Sequence, residues 1–454
     1  MAWAPGAQAI ERLRRAAVAT RDLVVHTDAT RWEVFAKAST TRELIFEPTP
    51  PVQVSVVHET GVAVRTVCRG EAGFGAASGI DSDAARVAVG AAQASRTLMP
   101  FDPLPPSRLL GTTDTTVSRT LPPSGWAAHA AEKLTHGIVE AADRRLLVRR
   151  IVFHEGEYGR LLATGEGFVA THQDATISVL VEMAHRDRQD MTCYEWIWVP
   201  DPNIFDADRI ARQMCDRALL MRNSITTRSG LFDVLFHPEI SAHLLGALAP
   251  AFLPCSEDKD PIPKLVDRNG QLAAQALTLV DDASMSDCPS NAPCDGEGLP
   301  LRRHLLLENG VPRHRLTSRL EAQLFDEPTR GGARRLSYRD YPRAGISALR
   351  VVPDPGIPAA ELLRGAGRSL YALRLMAPVS MNLLKDEFRL LTSGVWLDKG
   401  VVEGFQPVVE LRGALSHLLH RIDAVGADLG WHQTPAGFVA APTTFVRCLK
   451  VVGR

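Results

Sequence analysis

Apolar residues recur at helical spacing over 6–20 and again over 83–98, and between them 52–57 and 62–67 read as β-rich segments. The pattern predicts helix, strands, helix. A strand ending near Cys68, a turn built around Gly70 and a second strand entering Gly73-Phe74-Gly75 make a hairpin with a glycine-rich exit. From 99 to 124 proline, serine and threonine dominate, which breaks regular elements and predicts a long surface excursion. A helix over 127–143 then precedes two alternating segments, LLVRRIVFH (146–154) and GFVATHQDATISVLVEMAHRD (167–187), which read as antiparallel strands. His154-Glu155-Gly156-Glu157, followed by Tyr158-Gly159, reads as a solvated turn between strands.

The stretch 206–223 opens on capping-type acidic residues and places Ile210, Met214, Ala218 and Leu219 along one helical face. It predicts a helix bridging two halves. The second half carries a short helix at 239–249, glycine-punctuated strands, a last helix near 411–421 and a closing strand. At 454 residues the chain exceeds one ordinary core, so two domains are expected. The resulting fold class is α+β: an N-terminal α+β domain over 1–205, a bridging helix over 206–224, and a C-terminal domain rich in antiparallel strands over 225–454.

Composition narrows the function classes. Lys and Arg total 51 against 52 for Asp and Glu, so no global field favours nucleic acid or an anionic membrane. Seven scattered cysteines fit reduced thiols in a cytoplasm better than a disulfide framework. The longest apolar run, 240–253, is interrupted by His243 and too short to span a bilayer, and the first residues lack a signal pattern. Gly73-Phe74-Gly75 and Asp295-Gly296-Glu297-Gly298 lack the spacing of a phosphate loop, and no Gly-x-Ser-x-Gly elbow is present. Cys288 and Cys294 are too widely spaced for a zinc knuckle, and His417 and His420 have no third ligand nearby.

Several stretches, in order, resemble the TldD/TldE (PmbA) metalloprotease family: GVAVRTVCRGEAGFGAAS (61–78), LFHPEISAHLLGAL (235–248), PCDGEGLPLRRHLLLENGV (293–311), MNLLKDEFRLLTSGVWLDKGVVE (381–403), ELRGALSHLLHRIDAVGADL (410–429) and APTTFVRCLKVVG (441–453). The resemblance implies a two-domain α+β fold and a cytoplasmic heterodimer in which a TldD subunit carries zinc and a TldE subunit helps enclose a peptide channel. The implied role is degrading or maturing peptides, including ones that target DNA gyrase.

TldD-type subunits carry His-Glu-x-x-x-His and a cysteine near the C-terminus, because catalytic zinc needs three protein ligands and one open position. The matching residues here run from Pro238 through Glu239 to His243, so a proline stands at the first ligand position. The segment GWHQTPAGFVAAPTT (430–444) holds no cysteine, and Cys448 lies in an apolar strand pattern. This degenerate motif places the chain on the TldE side, with no catalytic residue or metal of its own and zinc expected in a TldD-like partner.

The same residues also have an ordinary structural reading. Pro238 suits the first turn of a helix, His237 its cap, and Glu239 the positive helix N-terminus. Glu239 and His243, four apart, then form an acid–imidazole contact while Ile240, Leu244 and Leu248 form a buried stripe. An alternative is a self-sufficient metallohydrolase using His237 and His243, although six residues amount to about 240° around a helix and work against convergence. A third reading is a non-enzymatic peptide-binding protein, and departures from the family pattern leave room for a specialised role in natural-product (antibiotic) biosynthesis. Glycine-rich chain at Asp295, Glu297 and Gly298 and at Gly394 and Trp396 supplies candidates for lining the chamber or interface.

Overall fold

The computed structural model describes residues 7–48, 52–99, 101–106, 110, 115–117, 119–187, 192–221, 223–225, 228–353 and 356–453. Part of the sequence-predicted excursion at 99–124, residues 100, 107–109, 111–114 and 118, lies outside them. Among the described residues the N-terminal half is one eight-stranded sheet. Its strands are β1 (Arg31–Phe46), β2 (Gln53–Cys68), β3 (Glu71–Ser78), β4 (Thr97–Leu98), β5 (Thr115–Val117), β6 (Leu146–Thr164), β7 (Val169–His185) and β8 (Thr192–Trp198). The spatial order is β4-β3-β2-β1-β6-β7-β5, with β8 also on β7.

The two segments read as separate strands at 52–57 and 62–67 are one continuous β2, antiparallel to β1 from Arg31↔Val67 to Ile45↔Gln53. Helices α1 (Ala7–Val24) and α2 (Ser82–Ala94) share a buried cluster with β1 and β2 through Leu13, Val34, Val64 and Ala88. A Cβ at Gly73 would stand 1.9 Å from Ala92 O and one at Gly75 2.1 Å from Ala88 O, so these glycines let α2 lie directly on β3. That is packing, and it accounts for the glycine-rich exit without a phosphate.

The solvated turn predicted at 154–159 is absent: His154 to Gly159 run through the middle of β6, in register with both β1 and β7. Two glycines resembled a turn signal, but pairing on both sides satisfies the backbone and holds it extended.

Helices α3 (Trp126–Ala141) and α4 (Ala207–Leu220) cover the far part of this sheet. Asp206 caps α4, its Oδ1 accepting from Arg209 N at 2.9 Å. The apolar cluster under α3 and α4 continues through Leu235, Leu373, Val395 and Phe445 into the C-terminal half. The bridging helix therefore lies inside a core shared by both halves. The C-terminal half holds a seven-stranded and a six-stranded sheet among the described residues. The predicted helix near 411–421 is shorter, Leu415–His420, because 410–414 extend the preceding strand.

The two halves are also joined by buried charge. Arg65 on β2 grips Glu33 on β1 with two nitrogens and donates from Nη1 to Glu297 at 3.0 Å, while Arg335 donates to Glu33 and, at 2.7 Å, to Gly296 O. All four side chains are 1–2% exposed. Glu297 Oε2 accepts Arg319 N at 2.7 Å. Two guanidiniums and two carboxylates leave no net charge, and every carboxylate oxygen is bonded, which is the condition under which buried ions are tolerated. Removing one member strands the rest. Arg65→Met is expected to cost about 3–5 kcal/mol, read from urea unfolding; a loss below about 1 kcal/mol, the range of exposed pairs, would mean the network holds nothing together.

Candidate functional site

Strand β9 (Gly230–Phe236) lies inside the seven-stranded sheet, parallel to Arg368–Leu375 and antiparallel to Thr444–Gly453. It turns at His237 into α5 (Pro238–Leu248). His237 is the N-cap, its Nδ1 accepting Glu239 N at 3.3 Å, and Pro238 takes the first helical position, where a missing N–H costs nothing. Ile240, Leu244 and Leu248 are buried as the apolar spacing predicted.

The predicted Glu239–His243 contact gives way to another partner. Glu239 Oε2 accepts from Arg217 Nη2 on α4 at 2.8 Å, and Arg217 Nη1 donates to Glu195 Oε2 on β8 at the same distance. Arg217 Nη2 also donates to Leu373 O. One buried guanidinium thus ties α5, β8 and the 368–375 strand together. A delocalised cation with five donors satisfies two carboxylates at once, which an imidazole four residues along the helix cannot match.

Glu239 and His243 line a cleft of about 920 Å³ with Glu195 and Trp196 of β8 and with His432, from the strand Gly430–Thr434. Burial pushes Glu195 up to about 7 even though Arg217 pulls it down. Burial, reinforced by Arg217 and His243 against the opposing Glu239, holds the His432 imidazole down at about 4. His243 is lowered for the same first reason. At neutral pH both imidazoles are uncharged and hydrogen-bond capable.

His237 lines a different cleft, of about 910 Å³, with Arg217, Glu195 and Tyr371. His237 and His243 are therefore turned toward separate cavities, as the angular separation around a helix requires. Among the described residues no group of three or more His, Cys, Asp or Glu side chains is spaced to hold a metal. The zinc that the family motif would hold does not fit: Pro238 has no donor, and Glu239 is engaged by a permanent cation.

The other candidates lie elsewhere. Glu297 is in the Arg65 network, and Gly298 packs on Leu162 and Phe168 of the N-terminal half. Both Asp295 oxygens take backbone N–H groups, from Glu297, Leu299, Gly332 and Ala333 at 2.8–3.1 Å. Gly394 and Trp396 sit in the seven-stranded sheet; Trp396 is fully buried, with Nε1 donating to Gln406 Oε1 at 2.8 Å. None of Glu297, Gly298, Gly394 or Trp396 lines the Glu239 cleft. His420 sets its ring between Ser416 O and Gln271 O, a packing role. Cys288 and Cys294 are both buried and free.

Sequence reasoning missed Glu195, Arg217 and His432. Of these His432 left the clearest signal, an imidazole within the segment searched for a cysteine. Arg217 looked like the polar face of a helix and Glu195 an ordinary strand residue, and only the docking of α4 against β8 joins them.

Comparison with known proteins places this geometry. Residues 229–453 match the PmbA/TldA metallopeptidase C-terminal domain. A metalloprotease TldD homologue of Buchnera aphidicola subsp. Schizaphis graminum is 25% identical over 166 residues, 36% of this chain and 34% of that protein. An uncharacterized protein of Methanocaldococcus jannaschii is 25% identical over 217 residues, 46% of this chain and 50% of that protein. The matched regions thus span only 34% and 50% of these curated relatives. In fold, TldE from Thermococcus kodakarensis superposes with a TM-score of 0.81 at 17% identity, covering 96% of this chain and all, 100%, of that one. A proposed modulator of DNA gyrase from Thermotoga maritima gives 0.77 at 19% identity, covering 98% and 100%. By its match to the family's C-terminal domain over 229–453 and its likeness to TldD homologues, the chain belongs to the TldD/TldE (PmbA) family.

Proposed function

We propose that this chain is a TldE-type subunit without a catalytic metal, which pairs in the cytoplasm with a TldD-type subunit carrying zinc and helps enclose the peptide that the partner hydrolyses. The observation that carries the reading is Pro238 at the first helical position of α5 with Glu239 ion-paired to Arg217. A guanidinium beside Glu239 repels a dication and supplies the positive charge the carboxylate would otherwise seek from a metal. The turning of His237 and His243 into separate clefts speaks against a self-sufficient metallohydrolase built on those two.

The cleft suits an extended peptide. Strand β8 is at the margin of its sheet, paired with β7 among the described residues, and Tyr194, Glu195 and Trp196 of β8 reach the cleft. A peptide added along such an edge is held by main-chain hydrogen bonds and tolerates varied side chains. Neutral His243 and His432 with a readily neutralised Glu195 leave little charge to select among peptides. Hydrolysis itself is assigned to the partner.

Metal content by plasma mass spectrometry tests the assignment. The purified chain alone is expected to hold no stoichiometric zinc, the co-expressed complex with a TldD-type subunit is expected to hold it, and His243→Ala leaves that content unchanged. Stoichiometric zinc in the isolated chain, removed by His243→Ala or His432→Ala, would make this protein a metallohydrolase in its own right.

The two buried titrating groups give a second test. Glu195 rises from 4.5 to about 7 on folding, so its stabilising contribution is full below 4.5 and lost as pH climbs through 7. His432 falls from 6.5 to about 4, so its contribution is full above 6.5 and lost as pH drops through 4. The stability difference between the unmodified chain and Glu195→Gln is therefore expected to shrink as pH rises from 4.5 to 7. That for His432→Gln shrinks as pH falls from 6.5 to 4, each by at most about 1.4 kcal/mol per pH unit. Urea midpoints across this range give the slopes, and slopes of the same sign would contradict the burial of one of the two groups.

A further inference from the structure

A third cavity, polar and of about 410 Å³, lies between the N-terminal sheet and the segments around 290–301 and 333–347. It shares no lining residue with the Glu239 cleft. Three cations reach it from three directions: Lys37 from β1, Arg160 from β6 and Arg334 from the C-terminal half. None has a carboxylate within ion-pair distance among the described residues. Each is held by carbonyl oxygens alone: Lys37 Nζ donates to Leu336 O at 2.6 Å, Arg160 Nη2 to Cys294 O at 3.1 Å, and Arg334 Nη1 to Ile346 O and, at 3.5 Å, to Ser347 O.

The charged neighbours on the cavity wall are mostly committed elsewhere. Arg335 is paired with Glu33, and both Asp295 oxygens are taken by four backbone N–H groups. Glu59 sits 4.0 Å from Arg339, and Glu157 lies in the field of Arg42 while burial raises its carboxyl toward the neutral form. The three cations also face one another: burial lowers the proton affinity of Lys37 and Arg334, Glu59 and Asp340 oppose it at Lys37 and Asp281 at Arg334, and Arg160 lowers both again. Like charges held together in a half-buried cavity, with carboxylates only beyond ion-pair distance, are costly to the fold, and an anion between them turns their mutual repulsion into attraction to a shared partner.

We propose that this cavity binds a small oxyanion, a carboxylate or a phosphate, through Arg160, Arg334 and Lys37. The fixed ends of the two guanidiniums on carbonyl oxygens leave their other N–H groups for the ligand, and a planar fork of donors matches the paired oxygens of either group. Ser39, Thr41 and Thr176 add hydroxyls to the wall that either ligand can use. The volume admits a ligand somewhat larger than the anionic group alone, such as the carboxylate end of a short peptide or a phosphorylated small molecule.

Calorimetric titration of the full chain with inorganic phosphate, with triglycine and with triglycinamide, at matched ionic strength in chloride, tests the site. Saturable one-to-one binding of phosphate or triglycine is expected, with triglycinamide inert because it lacks the carboxylate. Phosphate binding alone identifies a phosphate site, and triglycine binding alone a peptide-end site. Arg160→Gln and Lys37→Met, chosen because Arg334 also ties down the 346–347 backbone, are expected to weaken binding at least tenfold while circular dichroism stays unchanged. Lys133→Met, on the exposed face of α3 and outside both cavities, leaves the affinity unaltered. Absence of saturable binding by both anions, or equal affinity in the Arg160→Gln and Lys37→Met variants, overturns the proposal.

Discussion

Burying Arg65 between Glu33 and Glu297 is the constraint on which the arrangement of the two halves rests. An unpaired guanidinium in a dry interior is costly, so the N-terminal hairpin that carries Arg65 and Glu33 is compelled to meet the two C-terminal segments that offer Glu297 and Arg335. Apolar contacts alone would tolerate a sliding interface, whereas a bidentate ion pair and its neighbours have one geometry. The shared apolar cluster under α3 and α4 supplies area, and the charge network supplies register. The three cavities all lie where N-terminal and C-terminal residues meet, so all depend on that register.

The same economy recurs at the Glu239 cleft. Arg217 joins three elements that are distant in sequence, α4, β8 and α5, by satisfying Glu195 and Glu239 with one side chain. Its charge is permanent, so the anchor does not titrate even though burial brings Glu195 up to about 7. The acidic residue at the start of α5 is thus held by a cation that the chain itself carries. The result is a rigid wall between two clefts of similar size, with histidines on either side of it.

The sequence was legible where a local rule operates without competition. Pro238 at the first turn, His237 at the cap, the stripe of Ile240, Leu244 and Leu248, the Asp206 cap and the hairpin around Gly70 all follow from backbone geometry and spacing. Reading failed where a local signal was outvoted by partners far along the chain. Gly156 and Gly159 looked like a turn, yet β6 runs through them because β1 and β7 pair on both sides. The glycine-rich segments at 295–298 and 394–396 read as candidates for a chamber or interface; folding buries Glu297 and Trp396 and leaves Asp295 and Gly296 on the wall of the 410 Å³ cavity.

By itself, then, the sequence determined the family, the α+β class, the start of α5 and the absence of a donor at position 238, because each depends on residue identity or on neighbours within a few positions. Only the tertiary structure decided that Glu239 belongs to Arg217 and not to His243, that His432 joins the cleft, and that Lys37, Arg160 and Arg334 surround one cavity. These are meetings of side chains separated by up to hundreds of residues. Their distances are fixed by sheet register and helix docking, and the energy of a buried charge depends on what surrounds it in space, which no spacing along the chain encodes.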